Sequence, residues 1–343
     1  MERKTPTIQD VARHANVSTA TVSRALSVPE KVSEGTRARV AEAVRVTGYT
    51  LNQAGRSLRQ RTAKTILVAL PDIRNPFFSS ILDAIEREAA ARGYGVLVLN
   101  LYFGHETIRR LQDFLLSNRA DGLLLLDGSV DTHLLRTMAG QAGAIPIVVA
   151  CEEIPNSGFH TVLTDNVEAA ERATQHLIDL GHRRIGHLLG PEHNVVSRDR
   201  LMGFSRALSQ ARLPVAPEWQ FRGNFDMESG FAAAARFLAL GDRPTAVFAA
   251  NDESAIGFLS GLRQHGLTCP RDISVVGFDD LAVAPHYVPP LTTMRQPREA
   301  LGRMAAEALI DVVEEPEALL APLRIVLRSE LVVRESTARP CAS

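Results

Sequence analysis

Cysteine is scarce in this 343-residue chain: Cys151, Cys269 and Cys341 are too few and too scattered for a disulfide framework or a zinc ribbon. Apolar runs are short as well. None approaches the roughly 18 residues of a spanning helix, so no membrane partner is expected. The segment from Met1 to Arg13 lacks the apolar stretch of a secretory signal, which makes a reducing cytoplasm the expected location. Catalytic signatures are missing too, with no Gly-x-Ser-x-Gly elbow, Walker loop or His-Glu-x-x-His. His182, His187 and His193 are poorly spaced for a metal and read as structural or solvent-facing. Asp279 and Asp280 as a catalytic pair would need a nucleophile or metal, and none is indicated. No enzyme activity, metal or cofactor is expected.

What is present is an ordinary globular composition, 45% hydrophobic and 22% charged. The length suits two or three domains at roughly 100–200 residues each. The net charge of −1 hides an asymmetry. Residues 1–64 hold twelve basic and five acidic side chains, a net of +7, leaving 26 basic and 34 acidic, or −8, in the rest. A basic head on an acidic body points to a polyanion partner for the head alone. A solvated helical surface is the plainer reading.

The head reads as three short helices. Thr7 and Asp10 have the spacing of a capping box, followed by Ile8, Val11 and Ala12 on one apolar face. Asn16 suits the left-handed residue of a tight connection. Ser18 is placed to cap a second helix with Val22 and Leu26 inward, and Ser33 a third with Val40 and Val44 inside and Gly48 at its end. Two short helices joined by a tight turn in a basic segment make a helix-turn-helix. A further short helix after Asn52 is too brief to be stable alone and reads as a linker that folds on binding. From Ile66 onward, short continuous apolar strands alternate with helix-length segments, in two series. That pattern means parallel sheets covered on both faces, with ligands beyond the strands' carboxyl ends.

The runs Thr7-Ile8-Gln9-Asp10-Val11-Ala12 and Val17-Ser18-Thr19-Ala20-Thr21-Val22-Ser23-Arg24-Ala25-Leu26 resemble the head of LacI/GalR-family bacterial transcriptional regulators. Asn75-Pro76-Phe77-Phe78, Leu180-Gly181-His182, Asn251-Asp252, Val276-Gly277-Phe278-Asp279-Asp280 and Pro290-Leu291-Thr292-Thr293 resemble the family's core, with wording closest to its cytidine-repressor branch. The resemblance covers about Thr7 to Arg334. It implies an α/β protein with a helix-turn-helix head at 1–50, a hinge helix at 51–64, and a two-lobed core like periplasmic binding proteins at 65–335. Lobe one would hold about 65–163 and 297–325, lobe two about 164–293 and 326–335, with a tail at 336–343. A homodimer is the implied state, with double-stranded operator DNA and a small sugar or nucleoside effector as partners.

On this resemblance Thr19, Ala20 and Arg24 would read base edges, since Arg pairs with guanine and methyl groups meet thymine. Ser18, Thr21, Ser23 and Asn52 would contact phosphates, with Ala54 beside them on the hinge helix. Leu58, apolar on a basic helix, would wedge between minor-groove base steps; packing against the body is the alternative. Leu51 stands where many relatives have Pro, and Arg59 where a small residue is common, which bears on hinge stiffness. Arg200, Asn251 and Asp279 would take the hydroxyls of a sugar or ribose, with Asn75 beside them and Phe77, Phe78 and Phe225 as ring-facing walls. Phe78 reads equally as core, and Asp280 as a cap. Cys151 falls where relatives often carry Asp or Asn, which would either pass the polar role to Glu152 or go with a different ligand. The expected function is a repressor released from its operator by effector. A corepressor-dependent regulator, or a binding module without DNA function, are the alternatives.

Overall fold

The computed structural model describes residues 6–49, 62–102, 105–117, 119–140, 145–316 and 321–341. It divides into two compact units between Arg61 and Thr62.

The first unit holds α1 (Ile8–Ala15), α2 (Thr19–Ser27) and α3 (Glu34–Thr47). Val11, Val22, Val40 and Ala43 are buried where the helices meet, with Ile8, Val17, Leu26, Val44 and Tyr49 packed around them. Burying a Val side chain contributes about 1.5–3 kcal/mol, so these few residues hold a very small core. Asn16 closes α1 with φ 51° and Gly48 closes α3 with φ 66°, both left-handed as the turns require. At the start of α1 the Asp10 carboxylate accepts from the Thr7 amide (2.9 Å) and the Thr7 hydroxyl (2.7 Å), the return half of a capping box. Ser33 departs from expectation. It occupies the N-cap position of α3, but its hydroxyl donates to the Thr36 hydroxyl (3.0 Å), and only its carbonyl accepts from the helix, from the Thr36 and Arg37 amides.

The second unit is two lobes, each a six-stranded sheet. In chain order its elements are β1 (Thr65–Leu70), α4 (Phe77–Ala91), β2 (Gly95–Asn100), α5 (His105–Leu116), β3 (Gly122–Leu125), α6 (Thr132–Gly140), β4 (Ile147–Cys151) and β5 (His160–Thr164). Then come α7 (Asn166–Asp179), β6 (Ile185–Leu188), α8 (Val195–Gln210), β7 (Gln220–Phe221), α9 (Met227–Leu238), β8 (Ala246–Ala249), α10 (Asp252–Gln264) and β9 (Ser274–Asp279). The last are β10 (Thr292–Arg295), α11 (Arg298–Glu314), β11 (Arg324–Leu327) and β12 (Glu330–Val332). Lobe one orders its strands β11-β5-β4-β3-β1-β2, lobe two β12-β10-β9-β8-β6-β7, and every pairing is parallel except that of β10 with β12.

Alternation along β1 shows how the layers form. Ile66, Val68 and Leu70 face the cluster built by α4 and α11, while Leu67 and Ala69 face the cluster of α5 and α6. Both faces are covered, which is why the strands read as continuous apolar runs. Lobe two repeats the arrangement, with Val247 and Val275 toward α9 and α10 and Phe248 and Val276 toward α7 and α8.

The chain crosses between lobes after β5, after β10 and after β11. Two expectations about the ends need correction. The third crossing follows Leu327 rather than 325, because Val326 and Leu327 pair with Leu163 and Thr164. Residues 336–341 are no separate tail: Ser336 is fully buried, its hydroxyl donating to the Val275 carbonyl (2.6 Å), and the Ala338 carbonyl contacts His182 Nε2 (2.9 Å). Leu281, two residues beyond β9 of lobe two, sits in the core of lobe one. Among the described residues no helix is long and apolar enough to cross a membrane.

Candidate functional site

In the head, the Ser18 hydroxyl accepts from the Thr21 amide (3.1 Å) and shares a hydrogen bond with the Thr21 hydroxyl (2.8 Å). Thr19, Ala20 and Arg24 are exposed, and Ser23 is half-buried. At about 100° per residue, residues 19, 23, 20 and 24 fall within about 140° of arc. Val22 and Ala25 point the other way, into the core. The helix thus presents one continuous face of a guanidinium, small hydroxyls and a methyl group. Asn52, Ala54 and Leu58, together with Leu51 and Arg59, lie outside the described residues.

Between the lobes of the second unit lies a cavity of about 760 Å³. Asn75, Phe77, Phe78, Glu152, Arg200, Phe225, Asn251 and Asp279 all line it. Lobe one supplies Asn75 and the two phenylalanines at the start of α4, with Glu152 just past β4. Lobe two supplies Arg200 from α8, Asn251 capping α10, Asp279 ending β9, and Phe225 ahead of α9. Phe77 and Phe78 are both cavity wall and core, packed edge to face at 5.1 Å.

Arg200 is the centre of the polar set. Its Nε donates to Asn166 Oδ1 (3.0 Å), its Nη1 to the Ala250 carbonyl, and its Nη2 lies 3.8 Å from Asp279 Oδ1. The guanidinium stacks 3.7 Å over the Phe278 ring, which fixes its plane. Burial lowers its pKa to about 10, against the pull of Asp279 and Glu152, so it stays charged. Asp279 accepts from Gln296 Nε2 (2.7 Å), and Gln296 Oε1 accepts from the Thr164 hydroxyl (2.7 Å). Burial raises Asp279 to about 6, opposed by Arg200. Glu152 accepts from the Gly128 amide (2.7 Å) and Asn194 Nδ2 (2.9 Å); burial, then repulsion from Asp127, raises it to about 7. Glu253 at the rim also reaches about 7, through burial and the charge of Asp279.

Backbone geometry marks the same place. Cys151 (φ 69°), Phe225 (φ 62°) and Asp279 (φ 114°) line the cavity and are non-glycine residues at positive φ. Such outliers cost of order 1–3 kcal/mol each and persist where the surrounding structure holds them. Burial pushes the Cys151 thiol up, so it stays neutral, and Glu152 is the lining carboxylate beside it. Asp280 is no cap. Its carboxylate accepts from Arg295 (2.7 Å) and Arg334 (2.6 Å).

Sequence reasoning missed Asn194, Gln296, and the mouth residues Asp72, Arg74 and Tyr102. Asn194 carried a signal, an Asn placed to cap α8, and its Oδ1 accepts from the Ser197 amide (3.1 Å). Gln296 carried none, since its position is set by the second crossing. His182, His187 and His193 do not converge. His187 is fully buried between the Phe204 and Phe248 rings, with Nδ1 2.8 Å from the Phe248 carbonyl. Among the described residues no group of three His, Cys, Asp or Glu side chains is arranged to hold a metal.

Comparison with known proteins adds three relatives and two family models. Residues 7–52 match the model described as bacterial regulatory proteins, lacI family, and residues 174–337 match a periplasmic binding protein-like domain. The HTH-type transcriptional repressor CytR of Escherichia coli (strain K12) is 39% identical over 331 residues, 96% of each chain. The HTH-type transcriptional repressor PurR of Photobacterium profundum is 36% identical over 331 residues, 96% of this chain and 98% of that one. Among solved structures, the lac repressor dimer bound to operator and the anti-inducer ONPF superposes with a TM-score of 0.87 at 29% identity, over 98% of this chain and 100% of that one.

Proposed function

The chain belongs to the lacI family of bacterial regulatory proteins, and we propose that it is a repressor released from operator DNA by a small uncharged sugar or nucleoside. Members of this family are DNA-binding repressors regulated by small-molecule effectors. The convergence of Arg200, Asn251, Asp279 and five further residues on one cavity between the lobes carries the effector reading. Asp72, Glu152, Asp226, Glu228, Glu253 and Asp279 line the cavity against only Arg74 and Arg200. Arg74 is already held by Asp72 (2.7 Å) and Arg200 by Asp279. Such a lining favours hydroxyl and amine donors and opposes phosphorylated ligands.

The DNA-reading set is Thr19, Ala20 and Arg24, with Ser18, Thr21, Ser23 and Asn52 on phosphates, Ala54 on the hinge helix and Leu58 as wedge. The domain reading separates this head and hinge, residues 1–64, from an effector-binding, dimer-forming core. A homodimer in the cytoplasm is the proposed working state, with the lac repressor dimer as its support. No catalytic step is proposed, since the relatives named above are transcriptional repressors. A ligand spanning the lobes would change their angle and through it the affinity for operator.

A thermal-shift panel of sugars and nucleosides on the full chain tests this. Ligand at 100 times its dissociation constant stabilises by about 2.7 kcal/mol, and the shift should vanish in Arg200→Ala. Operator should weaken the same ligand's binding by the factor with which the ligand weakens operator binding. Tighter ligand binding in the presence of operator would make it a corepressor, and no change would refute the coupling.

A further inference from the structure

Behind the second crossing, on residues outside the effector set apart from Gln296, lies a groove of about 670 Å³. Arg87 of α4, Arg295 of β10, and Arg298 and Arg303 of α11 line it, so the cations come from both lobes. We propose that this groove is a second ligand site, taking a phosphate dianion, free or as the terminal group of a small phosphate ester.

Charge supports the assignment. The groove also contains Glu88, Asp280 and Glu299, but the Asp280 carboxylate is bound by Arg295 and by Arg334. Arg298 forms no ion pair among the described residues; its Nη2 donates to the Asp280 carbonyl (2.8 Å). Arg87 and Arg303 pair only one helical turn away on their own helices, with exposed Asp83 at 3.0 Å and half-buried Glu307 at 2.5 Å. Surface ion pairs between residues of one helix are weak, so either guanidinium can turn to a better acceptor at little cost. Arginine forks match phosphate oxygens bidentately.

Helix geometry adds to it. The 17-residue α11 begins at the groove with Pro297 as N-cap, and no side chain caps it. The Arg298 amide is taken by the Gln296 carbonyl (2.8 Å), and the amides that follow it, with the helix dipole, favour an anion beside the guanidinia that line the groove. The groove's volume exceeds that of an inorganic ion, which leaves room for a sugar attached to the phosphate. The acid-lined front cavity opposes the same ligand, so the two sites select opposite chemistries.

The test is calorimetric titration of the full chain with inorganic phosphate and with ribose 5-phosphate, using ribose as the uncharged counterpart. Both anions should bind at one per chain, and binding should persist in Arg200→Ala. Arg87→Gln combined with Arg303→Gln should weaken it at least about tenfold, as loss of charge-assisted hydrogen bonds does, with the melting temperature unchanged. Arg298→Gln should do the same. Tighter binding of the ester identifies a phosphate ester as the ligand; equal or better binding of inorganic phosphate identifies the free ion. Absence of binding, unchanged affinity in the double variant, or loss in Arg200→Ala would overturn the site. None of these outcomes depends on operator binding.

Discussion

Gln296, the first residue after β10, donates its side-chain amide to Asp279 Oδ1 at 2.7 Å while accepting from Thr164 at the first crossing. One buried amide therefore ties two of the three interlobe strands to the carboxylate proposed to hold the effector. It also lines both the front cavity and the rear groove. Any movement of the Asp279 carboxylate is felt at the crossings through a single hydrogen-bonded link.

Arg200→Ala should abolish effector response and leave operator binding intact. Removing the guanidinium leaves Asp279 without its buried cation and strips Asn166 Oδ1 and the Ala250 carbonyl of a donor. Breaking such a buried pair costs on the order of 3 kcal/mol, which a urea melt would record. A gel shift that still responds to effector would show that the cavity reading is wrong.

Acid should destabilise the fold through His187. Burial, reinforced by the charge of Arg200 and partly offset by its bond to the Phe248 carbonyl, lowers its pKa to about 4. The unfolded histidine, near 6.5, binds protons first, so its contribution is full above that value and is lost as pH falls toward 4. Between pH 7 and pH 5 the loss is about 2 kcal/mol. Asp279 and Glu152, raised to about 6 and 7, act oppositely, losing their contribution as pH rises through those values. Comparing melting profiles of the chain and His187→Gln cancels the carboxylates. Parallel profiles would remove His187 from the account.

Arg24→Ala should cost about 1–3 kcal/mol on operator and relax selection at one base pair. Intact protein should lose log affinity with log salt at a slope of about −0.9 per phosphate neutralised. An equal loss on operator and on scrambled DNA would make Arg24 a phosphate contact rather than a base reader.

Gly190→Ala should close the cavity from the side. A Cβ there would strike the Phe225 ring and the Ser197 hydroxyl, and overpacking of this kind typically costs about 1–3 kcal/mol. Effector affinity should fall sharply while operator binding survives. Wild-type effector affinity in this variant would mean that Phe225 is no wall of the site.

The parts of the molecule legible in the sequence are those with strong local signals. Ser18, Asn16 and Gly48 mark the ends of helices by their own chemistry, and parallel strands such as Ile66–Leu70 announce themselves because both faces are buried. The eight cavity residues are reached through motif positions, not through spacing, since they come from six separate points of the chain. The α11 helix is harder to see. Gly302, Ala305, Ala306 and Ala308 are buried there, and small residues give little contrast between faces. Strands β11 and β12 are short sheet edges with half-exposed side chains. Gln296 owes its place to the second crossing and Leu281 to packing against the other lobe, and no local pattern encodes either.

The seat of Leu281 in the opposite lobe's core makes it a fulcrum. A chain that crosses three times and is also pegged by a buried leucine resists sliding of one lobe along the other, because sliding would drag that side chain out of its socket. Rotation remains as the soft motion. Displacement then grows in proportion to distance from the peg, so a small closure around a ligand near the joint becomes a larger swing at the lobes' far ends.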